Sequence, residues 1–450
     1  MNYLLFIAIF FSFGLLYFVL GWIASKKIKT NSDYFLAGRS LGLTSVTFTL
    51  LATQIGGGML LGTSQEAYNI GFYGIMYTVG MSLGYILLGL GFASRLRALN
   101  ISTVAELFET KYNSPILKKL ASILSVATMF GLVIGQIVGS KFLIESLGIH
   151  NEFVFLAFWA IIIAYTIMGG LKAVAMTDTA QVIFIILLFG GIFVYSLYGE
   201  TEPFFSATSI MKYGEIFDTS KITFLKAIGI TLMPALFSLI GQEYAQRFFA
   251  SKTKMIAALS AILASILMIL FSIIPIYFGM KAKLLGMPLS GSPLIMAISE
   301  LTHEFVLILA VCGLIAAITS TGDSLLCSIS SNIAQDFDLS SFKIKNKVTL
   351  SKIITLIAGI LAVIGSYFVP KNIITVLIGS LEISVCCLLV PLLFAYFKDN
   401  LNKNAAIGSI VFGLIGFIFF KIYPIPFPAG IAELGLSLIG YFVGDTIKST

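Results

Sequence analysis

Apolar runs of about twenty residues, separated by short polar stretches, recur from one end of the chain to the other. A transmembrane helix needs about 20 consecutive apolar residues. Windows of that length predict thirteen spans, over 3–25, 41–64, 71–94, 116–147, 152–169, 173–198, 223–246, 255–280, 305–334, 349–369, 372–397, 404–422 and 426–446. The first is too long for the apolar segment of a signal peptide. No basic residue precedes it and Lys26, Lys27 and Lys29 follow it, so it reads as a retained helix. The longest connecting stretches, 199–222 and 281–304, leave no room for a soluble domain, and no appended signalling module is expected after the last span.

Composition supports the same class. Of 450 residues, 58% are hydrophobic and 11% charged, against roughly 25% charged in a soluble domain. So few charges cannot clothe a water-exposed surface, and the lipid bilayer must be the main solvent. The fold class is therefore all-α and polytopic. The net charge of +7 is spread between apolar runs and forms no nucleic-acid-binding patch. It is asymmetric across the membrane instead. Nineteen cations fall in alternate loops: Lys26, Lys27, Lys29 and Arg39; Arg95, Arg97, Lys111, Lys118 and Lys119; Lys172; Arg247, Lys252 and Lys254; Lys343, Lys345 and Lys347; Lys398 and Lys403; Lys448. The opposite loops hold six, Lys212, Lys221, Lys281, Lys283, Lys371 and Lys421, while Lys141, Lys226 and Lys352 sit at span ends, where they can snorkel. Cations stay on the cytoplasmic side, which puts the N-terminus outside and the C-terminus inside, in the plasma (inner) membrane. Cys312, Cys327, Cys386 and Cys387 lie within apolar runs and read as small buried residues. His150 and His303 border apolar segments, and no hydrolase, metalloprotease or nucleotide-binding motif is present.

Polar groups at membrane depth are costly, so each is a functional candidate. Four acids fall in or at the edge of spans: Asp178, Glu243, Asp323 and Glu382. Glu243 has Arg247 one helical turn on, and an i,i+4 ion pair is expected; for Glu382 a helix–helix hydrogen bond is an equal reading. Asp178 and Asp323 sit among hydroxyls. In the second cluster Ala317, Ser320, Thr321 and Ser324 follow a single helical stripe, which presents oxygen ligands of the kind hard cations prefer, although hydroxyls also bond helix to helix. The complement is Ala52-Thr53-Gln54-Ile55-Gly56-Gly57-Gly58, with three adjacent glycines mid-span. Glycine costs about 1 kcal/mol at each helical position, so a break is expected, and at membrane depth breaks occur where backbone lines a cavity. Gly131, Gly135 and Gly139, spaced by four, form a packing face instead.

Asn31-Ser32-Asp33-Tyr34-Phe35 with Gly38-Arg39-Ser40-Leu41-Gly42, Gly169-Gly170-Leu171-Lys172 with Thr177-Asp178 and Gln181, Gln246-Arg247, and Ser320-Thr321-Gly322-Asp323-Ser324 occur in an order and spacing that resemble the sodium:solute symporter family over about residues 30–400. The resemblance implies the leucine-transporter-like fold, a 5+5 inverted-repeat core with one N-terminal and two C-terminal peripheral helices. Divided accordingly, 1–40 is the N-terminal helix and loop, 41–200 the first repeat, 201–400 the second and 401–450 the peripheral pair. It implies one sodium ion held by carbonyls of Ala52, Ile55 and Ala317 and hydroxyls of Ser320 and Thr321. A second cation, or a relay, falls at Asp178 with Asp323 and Ser324. Asp178 has no cation on its own helical face, since Lys172 is six residues away, so partnership with the Ser320–Thr321 face is expected and Asp178→Asn is expected to slow transport with little loss of expression.

Substrate candidates are Gln54, Gly56, Gly57, Gly58, Gln136 and Gln242. Thr78 and Met81 stand where sugar-transporting members carry a polar pair, and too few acceptors remain for a hexose. Trp22 and Trp159, the only tryptophans, lie away from the expected site, against an aromatic cage for choline. An amino acid such as proline, or another carboxylate-bearing solute, remains as the first expectation, with sugar or choline-type symport as alternatives. From other classes, a membrane-embedded enzyme or a sensor is the rival. No cofactor beyond sodium as coupling ion, and no obligate protein partner, is expected.

Overall fold

A computed structural model describes residues 3–26, 28–146, 151–198, 222–289, 291–338, 346–369, 373–425 and 427–447. His150, Lys27, Lys212, Lys221, Lys343, Lys345, Lys371, Lys448 and nearly all of the 199–222 loop lie outside these residues. The described chain is helical, and nine helical segments within it are long and apolar enough to cross a membrane. Large apolar side chains such as Leu4, Leu15, Leu187 and Phe368 are exposed, as a lipid-facing surface requires.

The difference between nine and the thirteen expected has local causes. Residues Glu152–Tyr198 run as one helix of 47 residues (α6) with a non-helical Gly170, φ 52° and ψ −151°. At 1.5 Å per residue it would span about 70 Å, over twice the hydrocarbon thickness. Gly170 divides it into the two spans expected. A Cβ there would meet the Tyr34 carbonyl oxygen at 2.5 Å and force an L-residue into positive φ. The spans expected at 41–64 and 223–246 are both interrupted. The first consists of α2 (Leu43–Gln54), a π-helical turn Gly58–Gly62 and α3 (Thr63–Ile70), which ends at Gly71, φ 68°. The second consists of α7 (Phe224–Ser238) and α8 (Gln242–Ala250), parted at Leu239–Gly241. The last span, α14 (Ala429–Thr446), has 18 residues, with Glu433, Asp445 and four glycines diluting its apolar character.

The remaining long helices are α1 (Tyr3–Ser25), α4 (Met76–Leu87), α5 (Pro115–Ser146), α9 (Lys254–Leu284), α10 (Glu304–Asp336), α11 (Lys347–Gly365), α12 (Ile373–Phe397) and α13 (Lys403–Ile422). Helix α10 is the axis of the molecule: from Ala310 to Ser331 nearly every residue is buried. It packs on α5, α6 and α11, and touches both interrupted helices. Gly131 and Gly135 let α5 press against α12, where a Cβ would come within 2.2 Å of Ser380 Oγ and 2.8 Å of Leu377 Cδ2, so the packing face read from their spacing holds. All four cysteines are free and buried. His303 is exposed at the N-cap of α10. Helices α13 and α14 pair with each other and lean on α12.

Candidate functional site

Helix α2 stops at Gln54 because Ile55 leaves the helical region, with φ −75° and ψ 64°. Its last carbonyls lack intrahelical partners, as at any helix C-terminus, and carry the negative end of the dipole. The break is held by one side chain and one backbone bond: the Gly57 N–H donates to Gln136 Oε1 at 2.9 Å, and the Gly56 N–H donates to the Gln54 backbone carbonyl at 2.8 Å. A Cβ on Gly56 would lie 2.3 Å from Thr321 Oγ1. Glycine is therefore what lets the broken backbone touch α10.

At that contact five oxygens converge. Ser320 Oγ donates to the Ala317 carbonyl at 2.8 Å and lies 3.0 Å from the Ala52 carbonyl. Thr321 Oγ1 lies 3.1 Å from the Thr53 carbonyl, 3.4 Å from that of Ala317 and 3.5 Å from that of Ala52. One hydroxyl proton cannot serve two or three carbonyls at once, so oxygen lone pairs remain for a hard cation. Ala52, Ala317 and Ser320 are wholly buried and Thr321 nearly so. The residues fit a sodium ion, with the Thr53 carbonyl as an additional oxygen that sequence reasoning missed; Ile55 is buried at the break itself.

Behind this cluster lies a buried charge network. Arg247, on α8, places Nη2 3.8 Å from Asp178 Oδ2 and 2.5 Å from Ser324 Oγ. Thr49 also donates to Asp178, and Thr53 Oγ1 reaches Ser324 Oγ at 3.3 Å. Asp323 instead accepts from the Tyr165 hydroxyl at 2.8 Å. Asp178 and Arg247 are both wholly buried. Two expectations change here. Asp178 does have a cationic partner, supplied by a helix 69 positions further along the chain. It is linked to α10 through Arg247 and Ser324, with no hydrogen bond to Ser320 or Thr321. Arg247 in turn does not pair with the Glu243 carboxylate: its Nη1 donates to the Glu243 backbone carbonyl at 2.6 Å. Glu382 has the Lys421 ammonium at 3.2 Å, an ion pair in place of a plain hydrogen bond.

The two interrupted helices meet at a cavity of about 30 Å³, room for about two waters. Gln54, Gly56, Gly58, Gln136 and Thr321 line it, with Glu243, Tyr244, Tyr77, Met59 and Met81. Gln242 does not. Its Oε1 accepts from the Val104 N–H at 2.7 Å and its Nε2 reaches the Ser102 carbonyl at 3.4 Å, so it ties α8 to the loop before residues Val104–Tyr112. Gln136 both lines the cavity and holds the break. Trp159 is buried against Ser140 and Trp22 is half exposed, both away from the cavity. The motif residues outside it bind the frame together: Gln246 Nε2 donates to the Phe35 carbonyl at 2.8 Å and its Oε1 accepts from the Ser328 hydroxyl at 2.8 Å, and Arg39 grips the Asn100 and Ile101 carbonyls at 2.7 and 3.0 Å.

The model of the sodium:solute symporter family matches residues 34–413. The chain belongs to that family. Among its relatives, the sodium/pantothenate symporter of Escherichia coli is 25% identical over 94% of this chain and 92% of its own length. The sodium/glucose cotransporter of Vibrio parahaemolyticus is 29% identical, but that match spans 52% of this chain and 44% of that protein, less than half its length. Among solved structures, a Na+-coupled sialic acid symporter in a substrate-bound outward-open state superposes with a TM-score of 0.83 at 18% identity, over 98% of each chain. That likeness shows the fold: the all-helical architecture of that structure is the one present here.

Proposed function

We propose that this protein is a secondary transporter, and no enzyme, that imports a small organic solute together with sodium by alternating access. The single observation that carries the reading is the convergence of the Ala52, Thr53 and Ala317 carbonyls with the Ser320 and Thr321 hydroxyls where α2 ends against α10. Sodium bound there joins the first interrupted helix to α10 and thereby orders the Gly56 and Gly58 backbone that lines the cavity beside it. Solute and ion then favour the same arrangement of helices, which is what coupling requires. Family membership supports this class of function, as do relatives named for sodium with pantothenate or glucose.

The solute lies in the cavity between the two breaks, against Gln54, Gly56, Gly58 and Gln136, with Gln242 serving the adjacent loop. The cavity must widen to admit it, so the helices that close over it move during transport. The Asp178–Arg247–Ser324 network, with Asp323 beside it, connects the sodium-site helix to α6 and α8 and acts as the relay between them. The repeats run over 41–200 and 201–400, with 1–40 and 401–450 peripheral. The protein resides in the plasma membrane with its N-terminus outside and C-terminus cytoplasmic, as the cation asymmetry supports. Sodium falling through 100 mV supplies about 2.3 kcal/mol per charge, enough for roughly fifty-fold accumulation. In proteoliposomes, solute uptake is expected to follow an inward sodium gradient and to vanish when potassium replaces sodium; equal uptake in both salts would refute the coupling.

A further inference from the structure

We infer that the imported solute carries a positively charged nitrogen, and that the Glu243 carboxylate is its partner. This rests on the import reading above and names the chemistry of its solute. Glu243 is 1% exposed and lines the central cavity. It is the second residue of α8, and neither carboxylate oxygen has a hydrogen-bond partner among the described residues. An isolated buried carboxylate costs several kcal/mol unless a counter-charge or hydrogen bonds compensate it. The dipole of a helix N-terminus returns at most about 2 kcal/mol. Arg247, the nearest cation in sequence, directs its two terminal guanidinium nitrogens elsewhere: Nη2 sits on Ser324 and Asp178, Nη1 on the Glu243 backbone carbonyl, while Nε makes no hydrogen bond among the described residues. Among the described residues no lysine or arginine lines this cavity. The carboxylate therefore lines the cavity without a lysine or arginine beside it among the described residues, and a cation arriving with the solute is the partner that would hold it ionised.

The surroundings choose between an organic ammonium and an alkali ion. A hard cation requires a shell of about six oxygens, of the kind that Ser320 and Thr321 help to build on the other side of the cavity. Around Glu243 stand the rings of Tyr77 and Tyr244 and the thioethers of Met59 and Met81. Aromatic faces attract ammonium groups, and thioethers accept the attached carbon; neither replaces a hydration shell. Gln54 and the Gly56 and Gly58 backbone line the same cavity and offer partners for a further polar group, so both amines and zwitterions fit, whereas a solute with only a negative charge would face Glu243 unpaired.

The test uses the full-length protein in detergent with matched pairs of probes: choline against 3,3-dimethylbutan-1-ol, n-propylammonium against propan-1-ol, and L-proline against cyclopentanecarboxylate. Thermal unfolding is followed in sodium chloride, with potassium chloride as control. At least one nitrogen-bearing member is expected to stabilise the sodium-loaded protein while its nitrogen-free partner does not. Glu243→Gln should weaken that response at least tenfold yet keep the stabilisation given by sodium alone, and Glu243→Asp should retain part of it. The inference falls if the nitrogen-free partners bind as well, if no pair shows a response, or if Glu243→Gln binds the ammonium unchanged. It also falls if Glu243→Gln abolishes the effect of sodium alone, which would assign the carboxylate to an alkali ion. The import reading fails differently, by a wild-type protein that sodium and potassium stabilise equally.

Discussion

Removing both members of the Asp178–Arg247 pair should cost clearly less than the sum of removing each alone. The two charges are wholly buried with Nη2 and Oδ2 3.8 Å apart. At an effective dielectric constant of about 20, that separation corresponds to about 4 kcal/mol. Breaking a buried ion pair by deleting one partner typically costs about 3–5 kcal/mol, because the survivor is left uncompensated. Asp178→Asn keeps the volume and the contact with Thr49 but leaves a guanidinium held only by the Ser324 hydroxyl and the Glu243 carbonyl. Arg247→Gln strands the carboxylate. The double variant Asp178→Asn/Arg247→Gln is neutral throughout, and its loss should fall at least about 2 kcal/mol short of the sum of the singles. Unfolding of the purified protein in mixed micelles on titration with sodium dodecyl sulfate reads all four corners of this cycle. Singles that add to within about 0.5 kcal/mol would show the pair to be uncoupled and refute the electrostatic account. The tolerance of Asp178→Asn expected from spacing along a single helix gives way, on this geometry, to a marked loss of stability.

Two glycines carry further predictions. Gly56→Ala places a methyl group 2.3 Å from Thr321 Oγ1 and 3.1 Å from Gln136 Oε1; overpacking of this kind costs about 1–3 kcal/mol, and apparent sodium affinity, read from the sodium dependence of uptake, should fall at least tenfold. Gly170→Ala puts a side chain at φ 52° against the Tyr34 carbonyl; the left-handed conformation alone costs about 1–2 kcal/mol, so the yield of monodisperse protein on size-exclusion chromatography should drop, while the same change at Gly190, where a Cβ meets nothing within 4 Å, should leave it unchanged.

The spans, the glycine break and the Ser320–Thr321 stripe were legible because the membrane makes polar and helix-breaking residues rare, so each stands out against its neighbours. What spacing could not reveal is which way a side chain turns across helices. Gln242 and Glu243 are adjacent, but at about 100° per residue one faces the 102–104 loop and the other the cavity. Arg247 was assigned to Glu243 by the i,i+4 rule, whereas its long side chain bonds that residue's backbone and spends its charge on Asp178. No local pattern links positions 178 and 247, since their meeting depends on the packing of α6, α8 and α10. The break at Leu239–Gly241 carries a weaker signal than the first, one glycine at the gap with Pro234 upstream, where the first has three glycines in a row.

Equilibrium binding of radioactive sodium to the purified protein tests the central claim most directly, comparing wild type with Ser320→Ala and Thr321→Ala. Each substitution deletes one side-chain oxygen from the cluster and leaves helix propensity slightly better. Sodium affinity at least tenfold weaker in both variants, with the proteins still folded, is the result predicted for a coupling ion held between α2 and α10. Unchanged sodium binding in both would contradict it and reduce the two hydroxyls to links between helices.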